Sequence, residues 1–549
     1  MSLKSKAILP VPEETARVAK AAFPEGSPIM RLRDALGTLY DDELFADLFP
    51  TRGQPAEAPW RLALVTVFQF MEDLSDRQAA QAVRRCIDWK YALGLPLTDP
   101  GFHFSVLSEF RSRLLAAGAE QRLLTRLLQL CKHQGWVKAG GKQRTDSTHV
   151  LTAVRALNRL ELVGETLRHA LNSLAEVAPD WLRPLVTPEW FERYSRRVEE
   201  YRLPKGQEAR QHYAELIGAD GAHLLAALDT EATLTWLRDL PAVLTLRQVW
   251  EQQYLTREKR CCLRTAEEVP PTGERMDSPY DPEARFSNKR STSWTGYKVH
   301  LTETCDTHAP HLITHVETTE AMSPDVEMTE PIQRALAEKE LLPDEHLVDA
   351  GYTDADWVVR SQMEMGVEVV GPVRPDSSWQ AREQTGYDVS HFQIDWQAQQ
   401  AVCPQGHVSS SWTPHLDAWG NEVVAIKFSR TDCRLCPARA RCTKAAEAPR
   451  HMTVRPQLGH EALVRIRAQQ ETPEWKDRYD QRAGVEGTLG QGIRLMELRQ
   501  ARYIGLQKVR LQHVATAVAL NILRLVAWLE GTKRAKTRTS RFAALALAD

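Results

Sequence analysis

The chain has 549 residues. That is too many for one compact core, so two to four domains are expected. Apolar residues make up 43% and charged residues 26%, an ordinary balance for a soluble globular protein. The net charge of −2 excludes binding to nucleic acid through overall basicity; such binding needs a local basic surface. The start, MSLKSKAILPVPEET, has no apolar signal-like core. The longest apolar stretch, Val514 to Leu529, is broken by Asn521 and Arg524. It is too short to span a bilayer and reads as a core helix. A soluble, cytoplasmic protein without a membrane partner is expected. Nine cysteines in a reducing compartment read as free, buried or metal-bound thiols.

Residues 1–140 carry apolar residues at helical spacing, as in WRLALVTVFQFMEDLSDRQAAQAVRRCIDWKYALG. Ser75 fits an N-cap for the helix after the break. Two helices joined by a tight turn are either a helix-turn-helix DNA reader or simply a packed pair. KQRTDSTHVLTAV follows a Gly-Gly turn and reads as a strand containing Asp146. The segment from about 155 to 275 is helical. Then come TGYKVHLTETCD and HLITHVETTEA as strands, a helix over DVEMTEPIQRALAEKEL, the strand HLVDAGY, the helix DADWVVRSQMEMG, and the strand VEVVGPV. The order predicts a mixed α/β core over 141–375 with a helical insertion. Residues 376–458 read as a β-rich insertion in which cysteines cluster. Residues 459–530 are helical again, and 531–549 form a basic tail.

Asp146 and Asp349 both sit in or at the end of apolar strand-like runs. A carboxylate there is either a cap or turn residue or a metal ligand, the metal offsetting its desolvation. Two-metal phosphoryl transfer needs several distant carboxylates brought together around ions about 4 Å apart. In DRYDQRAGVEG, Tyr479, Arg482 and Glu486 are spaced by three and four, which predicts one helix face. Gly484, Gly487 and Gly490 each weaken a helix by about 1 kcal/mol relative to Ala, so something close is expected to require small residues there. Residues 480–541 hold twelve Lys or Arg against four acidic residues, a local basic surface.

The set TDST at Asp146, DAGY at Asp349 and Tyr479-x-x-Arg482-x-x-x-Glu486 resembles the DDE transposases of bacterial insertion sequences. The similarity is closest to the group related to family four, within it family eleven-eighty-two. It extends to FSVLSEFRSRL and to RQARYIGLQKVRLQHVATAVALNILRL. The resemblance implies an RNase H-like core. It implies that Asp146, Asp349 and Glu486 bind two Mg²⁺ ions, with Mn²⁺ able to substitute, and that Tyr479 and Arg482 contact phosphate near the transposon end. It also implies cleavage of the element's ends and joining of the 3′-OH to target DNA. The partners are then double-stranded DNA and a second copy of the chain in the synaptic complex, in a bacterial cytoplasm. The family pattern expects a Lys seven residues past the Glu; here that position is Ile493, with Arg494 next. Glu497 is a rival third ligand, eleven residues on and near the same helix face. Arg494, Arg502, Lys508 and Arg510 are the basic candidates for DNA contact. Lys298, in GYKVH, is either a further phosphate contact or part of a solvated strand face.

Cys433-x-x-Cys436, Cys442 and Cys403, the last in CPQGH, form a four-thiolate set suited to structural Zn²⁺. His407 is an alternative to Cys403, and reduced cysteines folded into the insertion are the other reading. Two competing functions remain: a non-mobile nuclease on the same fold, and a DNA-binding protein with an inert triad.

Overall fold

The computed structural model describes residues 2–532 apart from 6, 231, 258, 259 and 290. The basic tail expected at 531–549 lies outside the described residues but for its first two positions.

Six segments form one sheet: β1 Lys142–Leu151, β2 Arg285–Lys289, β3 Thr292–Thr304, β4 Ile313–Glu320, β5 Glu345–Leu347 and β6 Glu368–Val370. Across the sheet the order is β4-β3-β1-β5-β6, with β2 paired to the first part of β3. β4, β3 and β1 are antiparallel. β1, β5 and β6 are parallel. Three antiparallel strands followed by two parallel ones make a mixed α/β sheet of the RNase H-like kind. β2 has no counterpart among the strands expected from the sequence. β5 covers only three residues, so Asp349 lies two residues beyond it rather than on its last position.

Ten helices suffice to place the site: α1 Pro59–Met71, α2 Asp76–Arg85, α3 Arg159–Val177, α4 Gln207–Thr230, α5 Pro241–Gln253, α6 Thr329–Glu338, α7 Ala355–Arg360, α8 Pro473–Asp480, α9 Gly484–Met496 and α10 Leu506–Leu529. Ser75 caps α2 in a reciprocal arrangement with Gln78, as its sequence suggests. α1 is buried nearly all round, whereas α2 keeps Arg77, Gln81, Arg84 and Arg85 exposed. α10 is the one helix among the described residues long and apolar enough by composition to cross a membrane. Its apolar residues from Val509 to Val526 are instead buried in the main core. That core runs without interruption through the N-terminal helices, the sheet and α10.

Two smaller cores stand beside it. α3, α4 and α5 pack around Leu167, Leu224 and Leu246 in the insertion between β1 and β2. A short strand pair, Tyr254–Arg257 with Arg260–Leu263, closes this mostly helical segment. In the second insertion, Ser411–Leu416, Glu422–Lys427 and His451–Val454 form a three-stranded sheet over Phe392, Ile426, Phe428 and Met452.

The polar centre of the main core is Glu303 on β3, which is 0% exposed. Arg144 on β1 lies 2.6 Å from one carboxylate oxygen and Arg524 on α10 lies 2.6 Å from the other. Thr488 on α9 donates to the same carboxylate at 2.5 Å. Burial by itself would raise the pKa of Glu303, but the Arg524 and Arg144 guanidinium groups hold it below the ordinary carboxylate value. Arg144 also donates to the Gln481 carbonyl at 2.6 Å, immediately before α9. A Cβ on Gly484 would overlap the Arg144 guanidinium. The close neighbour expected at Gly484 is therefore an internal arginine. No atom lies near a Cβ built on Gly487, so packing within the chain does not require that glycine.

Removing the carboxylate leaves two buried cations without their partner, a change that costs about 3–5 kcal/mol. Glu303→Ala is therefore expected to lower the unfolding free energy of the main transition, measured by urea titration, by that amount. A loss under about 1 kcal/mol, the range of exposed pairs, would show that Glu303 does not tie β1, α9 and α10 together.

Candidate active site

The two aspartates meet through strand register. β1 and β5 pair in parallel with Lys142 opposite Glu345 and Arg144 opposite Leu347. Carried two residues further, this register sets the backbone of Asp146 beside that of Asp349. The Val348 amide still bonds to the Val370 carbonyl, so the chain remains sheet-like up to that point. Asp349 then turns away from the strand, and its Oδ1 accepts from the Gly351 amide at 2.8 Å. The capping of α7 falls to Asp354, whose side chain accepts from the Asp356 and Trp357 amides. Asp349 is thus free of the cap role.

The third carboxylate arrives from the C-terminal segment. Tyr479, Arg482 and Glu486 do not lie on one straight helix: α8 ends at Asp480, a 3-10 turn covers Gln481–Ala483, and α9 begins at Gly484. The turn still brings the side chains together. Arg482 Nη1 lies 3.0 Å from Asp146 Oδ2, and Arg482 Nη2 lies 2.9 Å from Glu486 Oε1. One guanidinium thus joins two carboxylates 336 and four residues away. Tyr479 stacks on Trp475 with ring centroids 4.9 Å apart and faces the Arg482 guanidinium at 5.8 Å.

Electrostatics mark the same place. Burial pushes the Asp146 carboxyl above its ordinary value, the Ser147 amide and Arg482 pull it down, and the nearby charge of Asp349 pushes it up again. Burial opposes the charge of Arg482, but Asp146 and Asp349 outweigh it and raise its value. Among the described residues, no three His, Cys, Asp or Glu side chains stand close enough together to hold a metal as they are.

Glu497 does not share this geometry. α9 ends at Met496, and Glu497 adopts a left-handed conformation (φ 48°) with its side chain exposed. Eleven residues of helix also amount to about 16 Å along the axis. The remaining basic candidates divide into two groups. Arg494 and Lys508 are exposed. Arg502 pairs with Asp73 and donates to the Leu74 carbonyl, while Arg510 pairs with Glu317. Ile493 packs partly buried against the main core. Lys298 is neither free nor on a solvated face: its Nζ lies 2.8 Å from Asp325 Oδ1 and 2.7 Å from the Ser323 carbonyl.

Sequence reasoning missed Asp325, which also accepts from Ser147 Oγ at 3.2 Å. It left Tyr352 unassigned. That residue is fully buried, with its hydroxyl 2.6 Å from His300 Nδ1. The signal in the sequence was a Ser-Pro-Asp turn just after a strand, which is common and not specific.

In the second insertion, Cys403, Cys433, Cys436, Cys442 and His407 line a cavity of about 20 Å³, the room of a single water. The four cysteines are free thiols. Cys442 is pushed up by burial and by the neighbouring Cys436, Cys403 and Cys433.

Residues 402–526 match the family described as transposase DDE domain, and residues 17–113 match the transposase domain (DUF772). The chain is a DDE transposase of an insertion sequence. The first match takes in Glu486 and the four clustered cysteines, and the second takes in α1 and α2 of the transposase. No curated protein matches the transposase chain.

The raised value of Asp146 fixes a sign. A carboxyl whose folded-state value is raised contributes a penalty that is fully present above that value and absent below its unfolded value. In metal-free buffer, Asp146→Asn is therefore expected to melt no lower than wild type at pH 7. Its advantage should shrink as pH falls through the carboxylate range and wild type becomes protonated. A variant that melts well below wild type at pH 7 would show that the Arg482 pair outweighs burial.

Proposed function

We propose that the transposase cleaves the ends of its element and joins the freed 3′-OH to target DNA, using Asp146, Asp349 and Glu486. The observation that carries this reading is Arg482: one guanidinium is bonded to both Asp146 and Glu486, beside an Asp349 whose charge acts on Asp146. Three carboxylates from distant parts of the chain around one crevice are hard oxygen donors. Their partial neutralisation by a single cation suits a site that awaits further positive charge. Bound between them, Mg²⁺, or Mn²⁺ in its place, would supply Lewis-acid stabilisation of the attacking and leaving oxygens.

The chain's own residues do the rest. Asp146 and Asp349 are held by the paired strands, and Glu486 reaches the crevice from the first turn of α9. Were Glu486 and Asp146 to hold the ion, Arg482 would be free to bond a DNA phosphate bidentately, with the Trp475–Tyr479 stack backing it. In cleavage, water oxygen bonds phosphorus as the 3′ oxygen leaves. In joining, that 3′ oxygen bonds a target phosphorus as another oxygen leaves. Neither step needs a covalent protein intermediate. Exposed Arg494 and Lys508, and the basic face of α2, would hold the duplex backbone. Two ends brought together ask for two copies of the chain.

For the second insertion we propose that Cys403, Cys433, Cys436 and Cys442 hold a structural Zn²⁺. Four thiols around a cavity of one water's size, three of them acting on the fourth, Cys442, support that donor set.

With a duplex carrying the element's terminal repeat and Mg²⁺, wild type is expected to nick at the element end. Asp349→Ala and Glu486→Ala should fall to background, while Glu497→Ala should retain activity. Cleavage by Asp349→Ala at the wild-type rate would sink the assignment. Loss in Glu497→Ala alone would move the third ligand there. For the zinc reading, metal analysis of the purified protein is expected to give about one zinc per chain. Replacing Cys433 and Cys436 together by Ser should remove it and lower the melting temperature; a zinc-free wild-type protein would refute the site.

A further inference from the structure

Behind the aspartates lies a fourth carboxylate. Asp325 opens the 3-10 turn Asp325–Met328 that leads into α6. Its side chain is 11% exposed, and that of Lys298 is 12% exposed. Lys298 Nζ stands 2.8 Å from Asp325 Oδ1, and Ser147 Oγ donates to the same oxygen at 3.2 Å. Ser147 follows Asp146, and its amide donates to Asp146 Oδ1 at 2.7 Å. On the other side, Asp325 and Asp349 flank one glycine. A Cβ on Gly351 would stand 3.0 Å from Asp349 Oδ1 and 3.4 Å from Asp325 Oδ2. Lys289, more exposed, lies 3.7 Å from Asp325 Oδ2. Asp325 is therefore in contact with the neighbours of both aspartates, while its own charge is taken up by a lysine.

A lysine carries its ammonium on a flexible stem of four carbons. Without Asp325, Lys298 keeps the Ser323 carbonyl but loses its carboxylate partner, and Asp349, whose Oδ1 borders the same Gly351 as Asp325 Oδ2, is the site carboxylate beside the vacated position. An ammonium seated there would compete with a divalent cation for the same oxygens.

We propose that Asp325 is a positioning residue of the transposase site, which holds the Lys298 ammonium away from Asp349 and so leaves that carboxylate for a divalent cation. This rests on the reading of Asp146 and Asp349 as metal-binding residues. It gives Lys298 a role other than direct phosphate contact.

The test is Mn²⁺ binding to the DNA-free protein, followed by electron paramagnetic resonance of the free ion, in wild type, Asp325→Asn, Lys298→Met and the double variant. Asparagine keeps the size of the side chain and can still accept from Ser147. Asp325→Asn is expected to weaken binding about tenfold, the effect typical of a residue that orients ligands. Lys298→Met should bind at least as tightly as wild type, and the double variant should regain wild-type affinity. Weak binding that persists in the double variant would overturn the proposal, because Asp325 would then act as a ligand itself. Unchanged affinity in Asp325→Asn would overturn it as well, leaving only a packing role. If Asp325→Asn does not fold, weakened binding in Lys298→Met alone decides against the proposal, and binding at or above wild type decides for it. Loss of binding in Asp349→Ala with no effect of Asp325→Asn would remove only the role of Asp325. Binding that survives Asp349→Ala would remove the underlying metal reading together with it.

Discussion

The buried carboxylate of Glu303 is the constraint on which the site depends. It sits on the middle strand of the antiparallel half of the sheet and is bonded by Arg144, Arg524 and Thr488. These three residues belong to β1, α10 and α9, so the strand that carries Asp146 and the helix that carries Glu486 are fixed to one anion. A pair of this kind gains little over well-packed apolar residues, but removing one member is costly. Its contribution is therefore to specify an arrangement: α9 can approach β1 only where Arg144 reaches the Gln481 carbonyl and Gly484 leaves room for its guanidinium.

From this frame follows a charge balance at the surface of the crevice. Arg482 joins Asp146 to Glu486, the charge of Asp349 acts on both Asp146 and Arg482, and Asp325 is paired with Lys298. Each cation occupies a carboxylate that would otherwise repel its neighbours across a partly buried site. Arg482 is the one placed to change partners, since Glu486 is largely exposed while Lys298 and Asp325 are enclosed.

Much of the fold could be read from local pattern. The β-branched alternation of β1, β3 and β4, the Ser75 cap and the apolar run of α10 all follow from period and composition. The Tyr479–Arg482–Glu486 spacing was legible as well, although the face it suggested is made by a 3-10 turn and not by one helix. What misled was the treatment of residues singly. The basic residues of the C-terminal segment were counted as one surface, yet Arg502 and Arg510 are engaged with Asp73 and Glu317. Gly484 suggested a close neighbour without saying which, and the neighbour is the Arg144 side chain. Glu497 matched by helical count, but the helix stops one residue before it.

The sequence by itself determined the family that the chain resembles and, through that resemblance, the three carboxylates to consider. The resemblance depends on short motifs that the chain carries within a few residues. Only the tertiary structure decided which charges meet. The bonds from Arg482 to Asp146, from Glu303 to Arg144 and Arg524, and from Asp325 to Lys298 join residues that no local periodicity relates. Such pairs form because a buried charge must find its opposite once the strands and helices have packed, and which opposite it finds is set by the packing.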